Sequence, residues 1–136
     1  MITACILALT LNVYHEARGE PLAGQYAVAE VTMNRVASKH YPDDCREVVT
    51  QRKQFSWTNG KNLDSLPALL QHQADLLANM KPQDVESYRK AEKVARSVLA
   101  DGYKPKAKHL MFHTTKIKPY WSHGKSGVVI GSHKFY

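Results

Sequence analysis

The 136-residue sequence is poor in cysteine, with only Cys5 and Cys45, and short of acid, with twelve Asp and Glu against nineteen Lys and Arg. Two cysteines are too few for a disulfide framework and have no metal-ligand spacing, so both are expected to be free thiols. Cys5, in an apolar stretch, reads as a small core side chain. No apolar run approaches the ~20 residues of a membrane span. The nearest, residues 1–14, lacks the basic start and small-residue cleavage site of a signal peptide. The chain is therefore expected to carry no signal peptide. Repeats, low-complexity tracts and linkers are missing as well, which leaves one domain over residues 1–136. With 43% apolar and 23% charged residues, the composition excludes disorder.

What is present is an uneven positive charge. Of the net +7, nearly all falls in residues 101–136, which hold seven Lys, one Asp and four of the seven His. A patch of that density favours an anionic partner, such as nucleic acid, an acidic membrane or a polyanionic wall polymer, or else serves as a solubilising surface.

Residues 1–17 read as a helix. Ile2, Ile6, Leu9 and Val13 follow helical spacing, and Leu7, Leu11 and Tyr14 add a second apolar face. A helix apolar nearly all round belongs at the centre of a fold. It ends abruptly at His15-Glu16-Ala17-Arg18-Gly19-Glu20, with Gly19 as its stop. Pro21 suits the first turn of a second helix running to about Ser38. Asp43 or Asp44 caps a short third helix through Val49. Pro67 to about Met80 and Pro82 to about Ala100 are two more, each with Pro in its first turn. Leu110-Met111-Phe112 and Val128-Val129-Ile130 read as short strands. The fold class expected is α+β, mostly helical, with four to five helices and a small C-terminal β element.

Glu16 stands out. It follows some fifteen residues expected to be buried, where the chain leaves its helix, and partial burial raises the pKa of a carboxyl. A carboxyl that keeps its proton near neutral pH is what a general acid needs to protonate a leaving oxygen. The alternative is a surface Glu paired with Arg18 or capping the next helix. Glu20, before Pro21, suits the helix dipole. Leu22, Tyr26, Ala29, Met33 and Val36 form an apolar stripe along the second helix, and Glu30 lies one position after Ala29, as a solvated charge or at the edge of a cleft.

The segments Tyr14-His15-Glu16-Ala17-Arg18-Gly19-Glu20-Pro21, Gly24-Gln25-Tyr26-Ala27-Val28-Ala29-Glu30-Val31 and Asn34-Arg35-Val36 resemble the opening signature of the SleB/CwlJ-type cell-wall hydrolases. Spore-cortex-lytic enzymes and some bacteriophage endolysins belong to that group. Tyr41-Pro42, Gln54-Phe55-Ser56-Trp57, Phe112-His113, Pro119-Tyr120-Trp121 and Ile130-Gly131-Ser132-His133-Lys134-Phe135-Tyr136 follow in order, so the resemblance spans nearly the whole chain.

The resemblance implies a lysozyme-like domain that cuts peptidoglycan glycan strands between N-acetylmuramic acid and N-acetylglucosamine, with Glu16 as catalytic acid/base. A two-carboxylate glycosidase needs a partner Asp or Glu. None is evident, although Glu20, Glu30, Asp43 and Asp44 stay open, so lytic transglycosylase chemistry on a single Glu is favoured over hydrolysis by a muramidase. Substrate contacts are expected from Glu20, Glu30, Gln54, Phe55, Ser56, Trp57, His113, Tyr120 and Trp121. The aromatics among them lie in polar, loop-like stretches and either stack on sugars or close the loops as satellite core. Tyr120 and Trp121 are adjacent, so in an extended backbone only one faces the glycan.

His113, His123 and His133 fall ten apart, which matches no zinc pattern; neither metal nor cofactor is called for. Many members of the family carry a signal peptide or a wall-binding domain. With neither in evidence, the expectation is a monomeric phage endolysin, made in the host cytoplasm and released to the wall by a holin. Its lysine-rich segment would engage acidic wall polymers or lipopolysaccharide. A nucleic-acid-binding module is the reading from another class; it lacks a recognised motif and leaves Glu16 unexplained.

Overall fold

The structure is a computed structural model and describes residues 3–52 and 54–136. Met1 and Ile2, which the sequence places in the first helix, lie outside the described residues. Five α-helices precede a small sheet: α1 (Ala4–Ala17), α2 (Leu22–Val36), α3 (Cys45–Thr50), α4 (Leu66–Ala78) and α5 (Pro82–Leu99), then β1 (Phe112–Thr114), β2 (Val128–Ile130) and β3 (His133–Phe135). Short 3₁₀ turns at Ser56–Thr58 and Tyr120–Ser122 carry the two tryptophans. This is the mostly helical α+β domain expected. Among the described residues no helix is long and apolar enough to cross a membrane.

The central helix is α1. Leu7 through Tyr14 are buried without interruption, and α2, α3, α4 and α5 all pack against it. Thr3 starts it by accepting the Ile6 amide, Asp44 (not Asp43) does the same for α3, and Ser65 for α4. Tyr88, Ala91, Val94, Ala95 and Val98 form the buried stripe of α5, with two alanines that let it approach α1 closely. Gly19 follows the helix end but is not among the positive-φ glycines, so α1 stops without a left-handed cap.

The cysteine expectation is corrected. Cys5 and Cys45 form a disulfide with a Cα–Cα distance of 5.2 Å, tying the start of α1 to the start of α3. Spacing alone concealed this, because the two residues meet only once α1, α2 and α3 have packed.

The β element also differs in detail. The sheet has three antiparallel strands in the order β1-β3-β2. The third, His133–Phe135, was hidden by its polar His and Lys, yet Phe135 is fully buried in the core. Leu110 and Met111 stand just before β1 rather than in it, bonded to the main chain of Tyr136. The two-residue β2–β3 turn needs Gly131: its φ is +60°, and a Cβ there would fall 2.6 Å from Glu20 Oε1.

One edge of α2 holds the path into this sheet. The Glu30 carboxylate accepts from the Tyr103 hydroxyl and the Lys106 amide. One turn on, Asn34 Nδ2 donates to the carbonyls of Ala107 and His109. Arg35 Nε donates to Leu110 O at 2.7 Å. Burial, and then the bond to Glu30, push the Tyr103 phenol above its usual range.

Candidate active site

Glu16 sits in the last turn of α1. Asn12 and Val13, one turn back, are fully buried, whereas Glu16 keeps part of its surface open to solvent. Burial raises its pKa, by desolvation, in the direction expected. Its side chain makes no hydrogen bond or ion pair with any other described residue. Arg18, the candidate partner, instead donates to Tyr14 O and lies 4.8 Å from the Tyr14 ring centroid.

A polar and aromatic cluster stands beside it. Trp57 Nε1 donates to Asn12 Oδ1 at 2.9 Å, and the indole stacks on His15 with centroids 4.7 Å apart. His15 Nε2 lies 3.1 Å from His72 Nε2, and Lys61 Nζ lies 3.4 Å from His72 Nδ1. An ammonium only donates, so His72 Nδ1 accepts, His72 Nε2–H donates to His15, and His15 keeps its proton on Nδ1. His15, Lys61, Leu63, His72, Asp75 and Leu76 help to line an open groove of about 560 Å³ between α1 and α4. Glu16 follows His15 in the chain and is not itself among the residues lining that groove.

Burial, then the neighbouring His72 and the positive charges of Arg18 and Lys61, push His15 down to about 4. Unfolded, it binds a proton below about 6.5; folded, only near 4. Between these values the unfolded state holds more protons, so stability falls as pH falls. Thermal unfolding followed from pH 7 to pH 4 is expected to show this loss, and His15→Gln to flatten it.

Gln54 and Phe55 are fixed by Arg35, which donates to Gln54 Oε1 at 3.3 Å and lies over the Phe55 ring. Phe55 is only 4% exposed and packs on Phe112, which leaves it almost no surface to offer a sugar. Glu30 is likewise 4% exposed, its carboxylate taken up by Tyr103 and Lys106. Glu20 lies between α1 and α2 and does not cap α2. Oε1 accepts the Ser132 amide at 2.7 Å, with His133 Nδ1 at 3.4 Å, and thereby braces the β2–β3 turn. Ser56 is exposed beside Trp57.

His113 and Trp121 form a second cluster, on the sheet. His113 Nδ1–H donates to Thr114 O, so Nε2 accepts from the Tyr136 hydroxyl at 2.8 Å. The edges of Trp121 pack on His113 and Tyr136. Tyr120 is 91% exposed and Trp121 is half-buried; the backbone here is a 3₁₀ turn rather than extended. Asn12 and His72 were missed. Asn12 was legible as the one amide in an apolar helix, one turn before Glu16; His72 left no signal. No group of three or more His, Cys, Asp or Glu able to hold a metal occurs among the described residues.

Against known proteins, the profile of the Cell Wall Hydrolase family matches residues 19–136, beginning three positions after Glu16. Spore cortex-lytic enzymes of Oceanobacillus iheyensis and Halalkalibacterium halodurans are each 48% identical over 44 residues, 32% of this chain. The matched stretch is 16% and 13% of those relatives' own lengths. Among solved structures, the catalytic domain of the germination-specific lytic transglycosylase SleB from Bacillus anthracis superposes with a TM-score of 0.68 at 25% identity, covering 99% of this chain and 95% of that one. The catalytic domain of Bacillus cereus SleB gives 0.60 at 25% identity, covering 97% and 88%. The chain belongs to the cell wall hydrolase family.

Proposed function

We propose that the domain cleaves peptidoglycan glycan strands between N-acetylmuramic acid and N-acetylglucosamine as a lytic transglycosylase with Glu16 as its single acid/base. The observation that carries this reading is the half-buried, desolvated Glu16 at the end of the central helix, without a charged partner among the described residues. The SleB-like fold supports the substrate class. Protonated Glu16 donates to the glycosidic oxygen as the C1–O bond breaks and an oxocarbenium-like centre develops at the muramyl C1. The resulting carboxylate then takes the proton of the muramyl C6 hydroxyl, whose oxygen closes on C1. A 1,6-anhydro end forms, no water is consumed, and Glu16 regains its proton. Glu20 and Glu30, the nearest acidic residues in sequence, are engaged by Ser132 and by Tyr103 and Lys106, which weakens the case for a second carboxylate. Digestion of purified sacculi followed by mass analysis of the fragments tests the bond cut. Glycan fragments with intact stem peptides are expected; cut stem peptides with intact glycans overturn the reading.

The role is proposed to be that of an endolysin: cytoplasmic expression leaves cells intact until a holin is co-expressed. Growth arrest and lysis without a holin would count against it. The lysines of residues 101–136 support attraction to acidic wall polymers or lipopolysaccharide. Changing Lys104, Lys106, Lys108, Lys116 and Lys118 to Gln is expected to slow lysis and weaken its salt dependence; unchanged lysis and salt dependence would remove this attraction from the account.

A further inference from the structure

The positive segment is also where apolar side chains remain in water. Ile117, Tyr120, Val128 and Val129 are 57%, 91%, 51% and 58% exposed. A groove of about 420 Å³ brings Ile117 and Val129 together with Lys118, Lys125 and Lys134, and no Asp or Glu is among its lining residues. Lys125 Nζ and Lys134 Nζ are held 5.9 and 5.6 Å from the ring centroids of Trp121 and Tyr136. None of the three lysines forms an ion pair among the described residues. Gly127 keeps the arrangement open, since a Cβ there would fall 2.8 Å from Tyr136 Cε1.

A soluble polyanion would use the ammonium groups and leave Ile117 and Val129 in water. A bilayer with anionic headgroups uses both: phosphates meet the lysines, the aliphatic side chains enter the boundary with the acyl chains, and the Tyr120 ring lies at headgroup level. We propose that the face formed by Ile117, Lys118, Lys125, Val129 and Lys134, with the exposed Tyr120 of the adjoining 3₁₀ turn, docks the domain on an anionic phospholipid bilayer. Glu20, accepting the Ser132 amide, ties this sheet to the junction of α1 and α2, so the docked face is braced against the end of the helix that carries Glu16.

The inference rests on reading the segment as anion-seeking, and is independent of the chemistry at Glu16. The whole chain is sedimented with vesicles of phosphatidylcholine alone or with about a third phosphatidylglycerol, and its binding to soluble polyphosphate is measured in parallel. It is expected to sediment with the anionic vesicles only. The Lys118→Gln, Lys125→Gln, Lys134→Gln variant loses both vesicles and polyphosphate. The Ile117→Ser, Tyr120→Ser, Val129→Thr variant, and Tyr120→Ser alone at a site where folding is not at stake, keep polyphosphate binding. The triple apolar variant binds the vesicles about tenfold more weakly. If it sediments like wild type, or wild type binds polyphosphate and no vesicles, the lipid inference fails and the anion-seeking reading stands. If wild type binds neither, both fall.

Discussion

Replacing Glu16 with Gln is expected to slow glycan-strand cleavage by about 10²–10⁴-fold, the usual worth of a positioned general acid/base. The amide keeps the shape and hydrogen-bonding surface of the carboxyl but can neither give up a proton to the leaving oxygen nor take one from the C6 hydroxyl. The folded protein is expected to survive the change. Burial disfavours the ionised carboxylate, so at neutral pH the wild type carries a desolvation cost that Gln lacks, and the variant should melt at the same temperature or higher. Loss of activity with unchanged or raised Tm marks a catalytic group. Glu16→Gln retaining more than a tenth of wild-type cleavage would remove Glu16 from the mechanism.

The second large effect concerns stability. The Cys5–Cys45 bond closes a loop with a sequence separation of 40 that contains all of α2 and most of α1. Closing a loop of that length in the unfolded chain corresponds to about 4 kcal/mol in the chain-entropy description. For a domain of this size that is a shift in Tm of ~10–15 °C. Cys5→Ser with Cys45→Ser, or reduction of the wild type, is expected to lower Tm by that amount, and the reductant to have no further effect on the double variant. A Tm insensitive to both would show that helix packing alone carries this region. Such a bond persists in oxidising compartments, which agrees with an enzyme proposed to work at the wall rather than in the cytoplasm.

Why some of this was legible in the sequence and some was not follows from the kind of contact involved. The helices were readable because each carries its own signal, such as the continuous apolar run of α1 and the prolines at the starts of α4 and α5. Glu16 was readable because its burial follows from the helix that precedes it. The disulfide, the His15–His72 contact and the Glu20–Ser132 bond join residues far apart in the chain, and no local period encodes such pairs. Glu30 and Phe55 belong to the motif that carries the family resemblance, yet both are buried beneath the loops they hold. A motif of this kind marks residues the fold requires as well as those that meet a substrate. β3 was hidden because its alternation runs His, Lys, Phe, with only Phe135 apolar.

The central claim is that Glu16 works alone, with the sugar's own C6 hydroxyl in place of water. Digesting sacculi in water enriched in oxygen-18 and weighing the released muropeptides tests it most directly. The expected products are 1,6-anhydromuramyl ends, lighter than hydrolysis products by one water, carrying no label and absent with Glu16→Gln. Reducing muramyl ends with one labelled oxygen would contradict it: water would then be the nucleophile, and the enzyme a muramidase.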